Sequence, residues 1–252
     1  MMCSLNIFQI IMKNNMLKNI TNNGFDYQVF VGDLAKFSNA KTIVEIGVLD
    51  GDTSVHLLSA SRDNGGKFYG YDYWDEIGAY RGQYKISATK DSVTSRLNRH
   101  GFTNDNFKLS KVDTTTDSFN EILIEDTQGR IDFAFIDGDH SYNGVKNDFN
   151  KIYPYLTEEG IIVFHDTYSH VGCRKFVLEL YGELNDGTFD IINLPYGGGN
   201  ARYGLTLLVK RSYPLYQSGI TTEIHETEGL NSNTVYELEK KWYNNEINKI
   251  KI

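Results

Sequence analysis

The chain has 252 residues but only two cysteines, Cys3 and Cys173. That leaves no disulfide framework and fits a reducing, cytoplasmic compartment. No apolar run approaches the roughly 20 residues of a membrane span. Leu5 to Met12 is briefly apolar, but no basic segment precedes it and no small-residue cleavage site is evident, so neither an anchor nor a signal peptide is expected. Positive charge is in deficit. With 25 Lys and Arg against 33 Asp and Glu, the net charge is -8, which argues against a nucleic-acid backbone as the main partner. Internal repeats and low-complexity segments are also missing. What remains is an ordinary globular balance, 40% hydrophobic and 23% charged, on a chain long enough for one large α/β domain.

Apolar runs rich in β-branched and aromatic residues recur along the chain: Thr42 to Ile46, Lys67 to Tyr71, Phe107 to Val112, Ile131 to Ile136 and Ile161 to Phe164. Such runs predict buried parallel strands. Between them lie helical patterns at Thr53 to Ser61 (Val55 and Leu58 inward), around Val93 and Leu97, around Phe119 to Leu123, and from Tyr142 to Tyr153. Pro154 and Gly160 bracket the end of that last helix. Cys173 to Tyr181 is helical, and Phe189–Leu194 and Tyr203–Val209 form an antiparallel pair joined by a glycine-rich turn. The alternation predicts a doubly wound, mostly parallel seven-stranded sheet with an antiparallel edge strand, an α/β fold. Three regions are expected: an N-terminal helical segment over 1–40, the main domain over 41–211, and a polar C-terminal extension over 212–252. The first carries an amphipathic helix on Phe25, Val29, Phe30, Leu34 and Phe37; the last carries a helix from Val235 to Ile250 that docks on the domain or on a second subunit. Tyr73 to Ile86 reads as a mobile surface loop.

The chemistry-bearing residues cluster at strand ends, where open α/β sheets bind ligands. Val44-Glu45-Ile46-Gly47-Val48-Leu49-Asp50-Gly51-Asp52-Thr53-Ser54 joins a strand to a helix. Gly47 and Gly51 permit a sharp turn and close approach to a ligand, and the helix start offers free N–H groups to an anionic group. Leu49 occupies the third glycine position of the dinucleotide pattern, which disfavours a nicotinamide cofactor. Glu45 is costly in a strand unless a polar or cationic group meets it. Asp72 ends the second strand, where an acid accepts hydrogen bonds from ribose hydroxyls; the alternative is a solvated strand-end aspartate. Asp113 either borders a base or caps the Thr114–Thr116 turn. Asp137-Gly138-Asp139-His140 and His165-Asp166 follow two further strands. They place hard oxygen ligands beside titratable imidazoles.

On these residues the chain resembles class I S-adenosylmethionine-dependent methyltransferases over roughly Thr42 to Lys210. The Glu45-x-Gly47-x-x-x-Gly51 loop is similar to that family's first motif, and Asp72 to its ribose-binding acid. Phe135-Ile136-Asp137-Gly138-Asp139-His140-Ser141-Tyr142 and Val163-Phe164-His165-Asp166-Thr167 resemble the metal-dependent O-methyltransferases, which include catechol-type and macrocin-type enzymes. The resemblance implies a Rossmann-like methyltransferase fold. It implies S-adenosylmethionine bound by Glu45, Gly47, Gly51, Ser54, Asp72, Asp113 and Asp137, and magnesium held by Asp137 and Asp166. The chain departs from the catechol-type pattern twice. Thr167 replaces the asparagine that is the third metal ligand, and His140 stands where that branch has a lysine base. Both departures favour a sugar or other polyol hydroxyl over a catechol.

An alcohol is a poor nucleophile at neutral pH. A divalent cation eases its deprotonation, and His140 has the intrinsic pKa to take the proton. Asp139 and Thr167 either support the metal or, for Asp139 and Ser141, cap the helix that begins near Tyr142. His165 orients Asp166, joins the metal shell or merely packs. His56, His100 and His225 are expected at the surface. Tyr73, Trp74, Tyr80 and Tyr84 close over adenine or a flat acceptor, or form an oligomer contact. Gly197-Gly198-Gly199-Asn200 shapes the acceptor mouth or is a plain hairpin loop. Rival readings are a metal-independent methyltransferase with His140 alone as base, a binding protein without turnover, and a hydroxylase-like relative. A DNA amino-methylating enzyme is disfavoured by the missing Pro-Pro-Tyr type motif. The expected partner is a small hydroxylated acceptor, with no nucleic acid and no membrane.

Overall fold

A computed structural model describes residues 26–74, 79–81, 84–86, 88–196 and 203–212, with only the backbone for 79–81 and 84–86. The expected helix at Val235 to Ile250, the Gly197–Asn200 turn, His225 and the chain before Asp26 lie outside the described residues. The elements run α1 (Tyr27–Phe37), β1 (Thr42–Ile46), α2 (Asp52–Asp63), β2 (Lys67–Asp72), β3 (Ala79–Arg81), β4 (Tyr84–Ile86), α3 (Lys90–Arg99) and β5 (Phe107–Lys111). They continue α4 (Asp117–Thr127), β6 (Ile131–Ile136), α5 (Tyr142–Ile152), β7 (Leu156–His165), α6 (Val171–Tyr181), β8 (Phe189–Leu194) and β9 (Leu205–Lys210).

A seven-stranded sheet has the order β5-β2-β1-β6-β7-β9-β8. The pairs β1/β2, β1/β6, β2/β5 and β6/β7 are parallel, and β9 runs antiparallel to both β7 and β8. Alternate residues of each strand feed two separate cores. Phe133, Phe135, Ile161 and Val163 pack with Leu34, Leu57, Leu58 and Leu97 of α1, α2 and α3. Ala134, Ile136, Ile162 and Phe164 pack with Phe119, Phe149 and Phe176 of α4, α5 and α6. The result is a three-layer doubly wound fold. Each fully buried Phe, Ile or Val removes enough apolar surface from water to contribute about 1.5–3 kcal/mol.

Several local readings change. In α2 the inward residues are Leu57 and Leu58, while Val55 is half-buried. His56 is not a surface residue: it packs on α1, where a Cβ added to Gly32 would lie 2.7 Å from His56 Cβ. On α1 the buried face is Phe30, Val31, Leu34 and Ala35, whereas Val29 and Phe37 are exposed. The segment after Tyr73 is not wholly loop, because β3 and β4 pair antiparallel. Gly160 does not end an element. It lies inside β7, which starts right after a short 3₁₀ turn at Tyr153–Tyr155 containing Pro154 and shifts register against β6 between Ile131 and Phe133. No helix among the described residues is long and apolar enough to cross a membrane.

Candidate active site

Strand register builds the site. Ile46 pairs with Tyr71 on one side and Ile136 on the other, and Ile136 pairs with Phe164. The next residue of each strand therefore falls on one line along the carboxyl edge: Asp72, Gly47, Asp137 and His165. The order in which the chain adds strands reverses between the parallel neighbours β1 and β6, so this edge opens at the topological switch point. Gly47 has φ +88 and approaches its neighbour so closely that a Cβ would lie 2.1 Å from the Asp137 carbonyl oxygen. No other residue type fits there.

The β1–α2 loop is held from three sides. Asp72 Oδ2 accepts from Leu49 N at 2.8 Å and its Oδ1 from Trp74 N at 2.7 Å. Trp74, only 5% exposed, donates its indole N–H to Leu49 O at 2.9 Å. It therefore packs against the loop rather than forming an outer surface. Arg96 of α3 pairs with Asp52 and lies 3.8 Å from Asp50 Oδ2, offsetting the loop's negative charge. Glu45 is 1% exposed, and the Ser54 hydroxyl of α2 donates to its Oε2. Burial pushes the Glu45 pKa well above the usual carboxylate range, against the pull of that hydrogen bond. Glu45 and Ser54 thus tie the strand to the helix.

Asp137 and Asp166 converge with three imidazoles. His140 Nε2 lies 3.1 Å from Asp137 Oδ1 and 3.3 Å from Asp166 Oδ2. His165 Nδ1 lies 3.1 Å from Asp137 Oδ1 and 3.5 Å from Asp166 Oδ1. His170, just before α6, places Nδ1 3.3 Å from Asp166 Oδ2 and stacks on His140 at 4.2 Å. Ser169 Oγ donates to Asp166 Oδ1 at 2.9 Å. On its far side His165 Nε2 meets the Tyr196 hydroxyl, and Tyr27 of α1 packs on its ring at 4.4 Å. Burial works against charge on His165, but the Asp137 and Asp166 carboxylates outweigh it and hold the pKa up at about 9. Asp166 is the mirror case. Burial favours its neutral form, yet His165, Ser169 and His140 pull it down to about 2. Asp137 is likewise lowered, by His140 and His165 against burial. The atoms of Asp137, His165 and Asp166 lie within 4.8 Å of one another, as do those of His140, Asp166 and His170. A donor set of two carboxylates and neighbouring imidazole nitrogens fits a divalent cation.

Not every expected residue joins. Asp113 is exposed, and its Oδ1 accepts from Thr115 N at 2.9 Å and Thr115 Oγ1 at 2.6 Å, so it closes its own turn. Ser141, not Asp139, caps α5, accepting from Gly144 N at 3.0 Å. Asp139 in turn accepts from Ser141 N and Oγ at 2.9 and 2.7 Å, which braces the cap. Thr167 is buried with Oγ1 unpaired. Tyr73 is exposed, and the side chains of Tyr80 and Tyr84 lie outside the described residues. His100 is exposed at the end of α3. Cys173 is buried and free. Sequence reasoning missed His170, Tyr196, Tyr27 and Arg96. Only His170 left a trace in the sequence, its i,i+4 spacing from Asp166.

Strand order, glycine turn and switch-point acids together define a class I methyltransferase fold. Residues 44–167 match the family model of a methyltransferase domain. Among curated proteins, the uncharacterized protein R132 of Acanthamoeba polyphaga mimivirus is 48% identical over 44 residues, 18% of this chain and 20% of that protein. The match thus spans about a fifth of the relative's length. Among solved structures, the O-methyltransferase TomG of Streptomyces achromogenes, involved in tomaymycin synthesis and in complex with S-adenosylmethionine, superposes with a TM-score of 0.59 at 16% identity, covering 83% of this chain and 90% of that one. An O-methyltransferase of Bacillus cereus bound to S-adenosylhomocysteine gives 0.58 at 17%, over 81% and 90%. An rRNA methylase of Streptococcus thermophilus gives 0.54 at 16%, over 73% and 95%. The shared fold therefore serves dissimilar acceptors, and the acceptor must be argued from the site.

Proposed function

We propose that the protein is an S-adenosylmethionine-dependent O-methyltransferase, magnesium-assisted and cytoplasmic, acting on a hydroxyl of a small acceptor such as a sugar or polyol. The observation that carries this reading is the meeting of Asp137 and Asp166 with His140 one strand away from the Gly47 turn. The domain over 41–211 holds the donor against that turn. Gly47, Gly51 and the Asp137 backbone shape the cradle, Asp72 offers oxygen acceptors to ribose hydroxyls, and Glu45 with Ser54 fixes the strand-to-helix geometry beneath it. S-adenosylmethionine supplies a methyl group already activated on a sulfonium. What remains for the protein is to place the acceptor oxygen in line and remove its proton. Asp137 and Asp166 would hold magnesium, whose charge would polarise the acceptor hydroxyl. His140 keeps Nε2 towards the carboxylates, which leaves Nδ1 to accept the proton as the oxygen bonds to the methyl carbon and the carbon–sulfur bond breaks. The acidic balance opposes a nucleic-acid acceptor.

The test is methyl transfer from labelled S-adenosylmethionine to a panel of sugars, polyols and phenols, with Asp137→Ala and Asp166→Ala as controls whose folding is verified. Magnesium-dependent turnover on a polyol, lost in both variants, supports the reading. Turnover unchanged in both removes the metal role. A metal-independent route has one observation in its favour: His140 and His165 already balance both carboxylates. Turnover that survives a strong chelator selects that route.

A further inference from the structure

We infer that His165 is the third protein ligand of the metal site, through Nδ1, and that the site takes a divalent transition ion such as Mn2+ in preference to Mg2+. This rests on the metal-assisted reading above, adds a third ligand to its two carboxylates and replaces its magnesium with a transition ion. Consecutive strand residues normally point to opposite faces. Asp166 breaks that rule with φ +57, a conformation strained for a non-glycine residue. The break brings the side chains of His165 and Asp166 to one point beside Asp137. His165 Nδ1 lies 3.1 Å from Asp137 Oδ1 and 3.5 Å from Asp166 Oδ1. Ligands at right angles on bonds of about 2.1 Å stand about 3 Å apart, so this is the spacing of adjacent ligands around one ion.

The far side of the ring supports the same assignment. Metal-bound histidines pass their second N–H to an outer partner that fixes tautomer and orientation. Here Nε2 meets the Tyr196 hydroxyl, and the ring is wedged against Tyr27 at 4.4 Å and Phe135 at 5.9 Å. With Nε2 keeping its proton, Nδ1 is the nitrogen that faces both carboxylates, and it would give up its own proton to an ion bound between them. Ser169 and His170 hold Asp166 in the same outer role. His165 thereby supplies what Thr167 does not. Imidazole nitrogen suits first-row transition ions, most strongly Fe2+, Ni2+ and Zn2+, and Mn2+ is the member of that series visible by EPR, whereas magnesium prefers oxygen alone.

The experiment is pulsed EPR of Mn2+ added to the full chain, with Mg2+ competition. Directly bound imidazole nitrogen and Mn2+ affinity at least about tenfold above Mg2+ support the inference. Folded His165→Asn then loses the nitrogen coupling and at least tenfold in Mn2+ affinity. Tyr196→Phe keeps the coupling and loses about tenfold, as loss of an outer partner does. Mn2+ bound without nitrogen coupling, equal competition by Mg2+, coupling that persists in folded His165→Asn, or unchanged affinity in Tyr196→Phe overturns it. Calorimetry with S-adenosylhomocysteine on the same sample reads the methyltransferase proposal separately. Absence of that binding alongside nitrogen-coupled Mn2+ refutes the cofactor reading and supports this one.

Discussion

At the β1–α2 turn, carboxylates are met by neutral donors: Ser54 for Glu45, and the backbone N–H groups of Leu49 and Trp74 for Asp72. At the ends of β6 and β7, Asp137 and Asp166 are met by imidazoles. Neutral donors fix geometry and do not titrate across physiological pH. Imidazoles exchange protons and bind cations. On the proposed function, one half of the cleft would be a static cradle and the other would exchange protons and ions, as a reaction with a pre-activated donor and an unactivated acceptor requires.

The comparison breaks most sharply at Asp166. Asp166→Ala is expected to lower kcat about a thousandfold, within the range of lost acid–base and metal contributions, while S-adenosylhomocysteine affinity by calorimetry changes little. A large loss of cofactor affinity would mean that the two halves are not separate. They touch through Gly47, so Gly47→Ala should damage both. With φ +88 and a Cβ 2.1 Å from the Asp137 carbonyl oxygen, it is expected to cost about 2–4 kcal/mol of stability in urea unfolding.

Asp148 of α5 sharpens the contrast, because it sits beneath the Gly138 turn with Oδ2 unpaired. Burial pushes its pKa up to about 6, against hydrogen bonding from Thr114 and Asn147. The folded carboxyl holds its proton to about pH 6 while the unfolded one releases it near 3.8, so the folded state binds more protons between those values. Stability is full below that window and falls as pH rises through about 6, by about 2–3 kcal/mol. Asp148→Asn should flatten that slope in melts between pH 4 and 7; an unchanged slope places its origin elsewhere. The smallest effect belongs to the cradle. Asp72→Ala is expected to weaken S-adenosylhomocysteine about tenfold, with little change in the metal response.

Much of this was legible in the chain, and the reasons differ by element. Buried strands such as Ile131–Ile136 announce themselves by composition, and acids placed just after them fall at the cleft by topology alone. Asp72, Asp137 and Asp166 could be found that way, whereas Gly47 showed by its glycine-turn spacing and Glu45 as a charge inside an apolar strand. Gly160 misled because a glycine inside a strand looks like an ending until the register shift beside it is seen. The β3–β4 pair was hidden because three-residue strands carry no period. His165 was visible, but its convergence with Asp166 depends on one left-handed backbone angle. Tyr27 and Tyr196 arrive from α1 and from the end of β8, distances along the chain that no local pattern records. Asp113 has the right position and the wrong neighbours: Thr115 follows it closely enough to engage its carboxylate.

The chain has two tryptophans, Trp74 and Trp242. The indole of Trp74 is shielded from water and hydrogen-bonded to the Leu49 carbonyl of the glycine turn. The molecule therefore carries its own optical gauge. In a Trp242→Phe background, emission colour and quenching would report, without any added dye, each time the turn is filled, loosened or emptied.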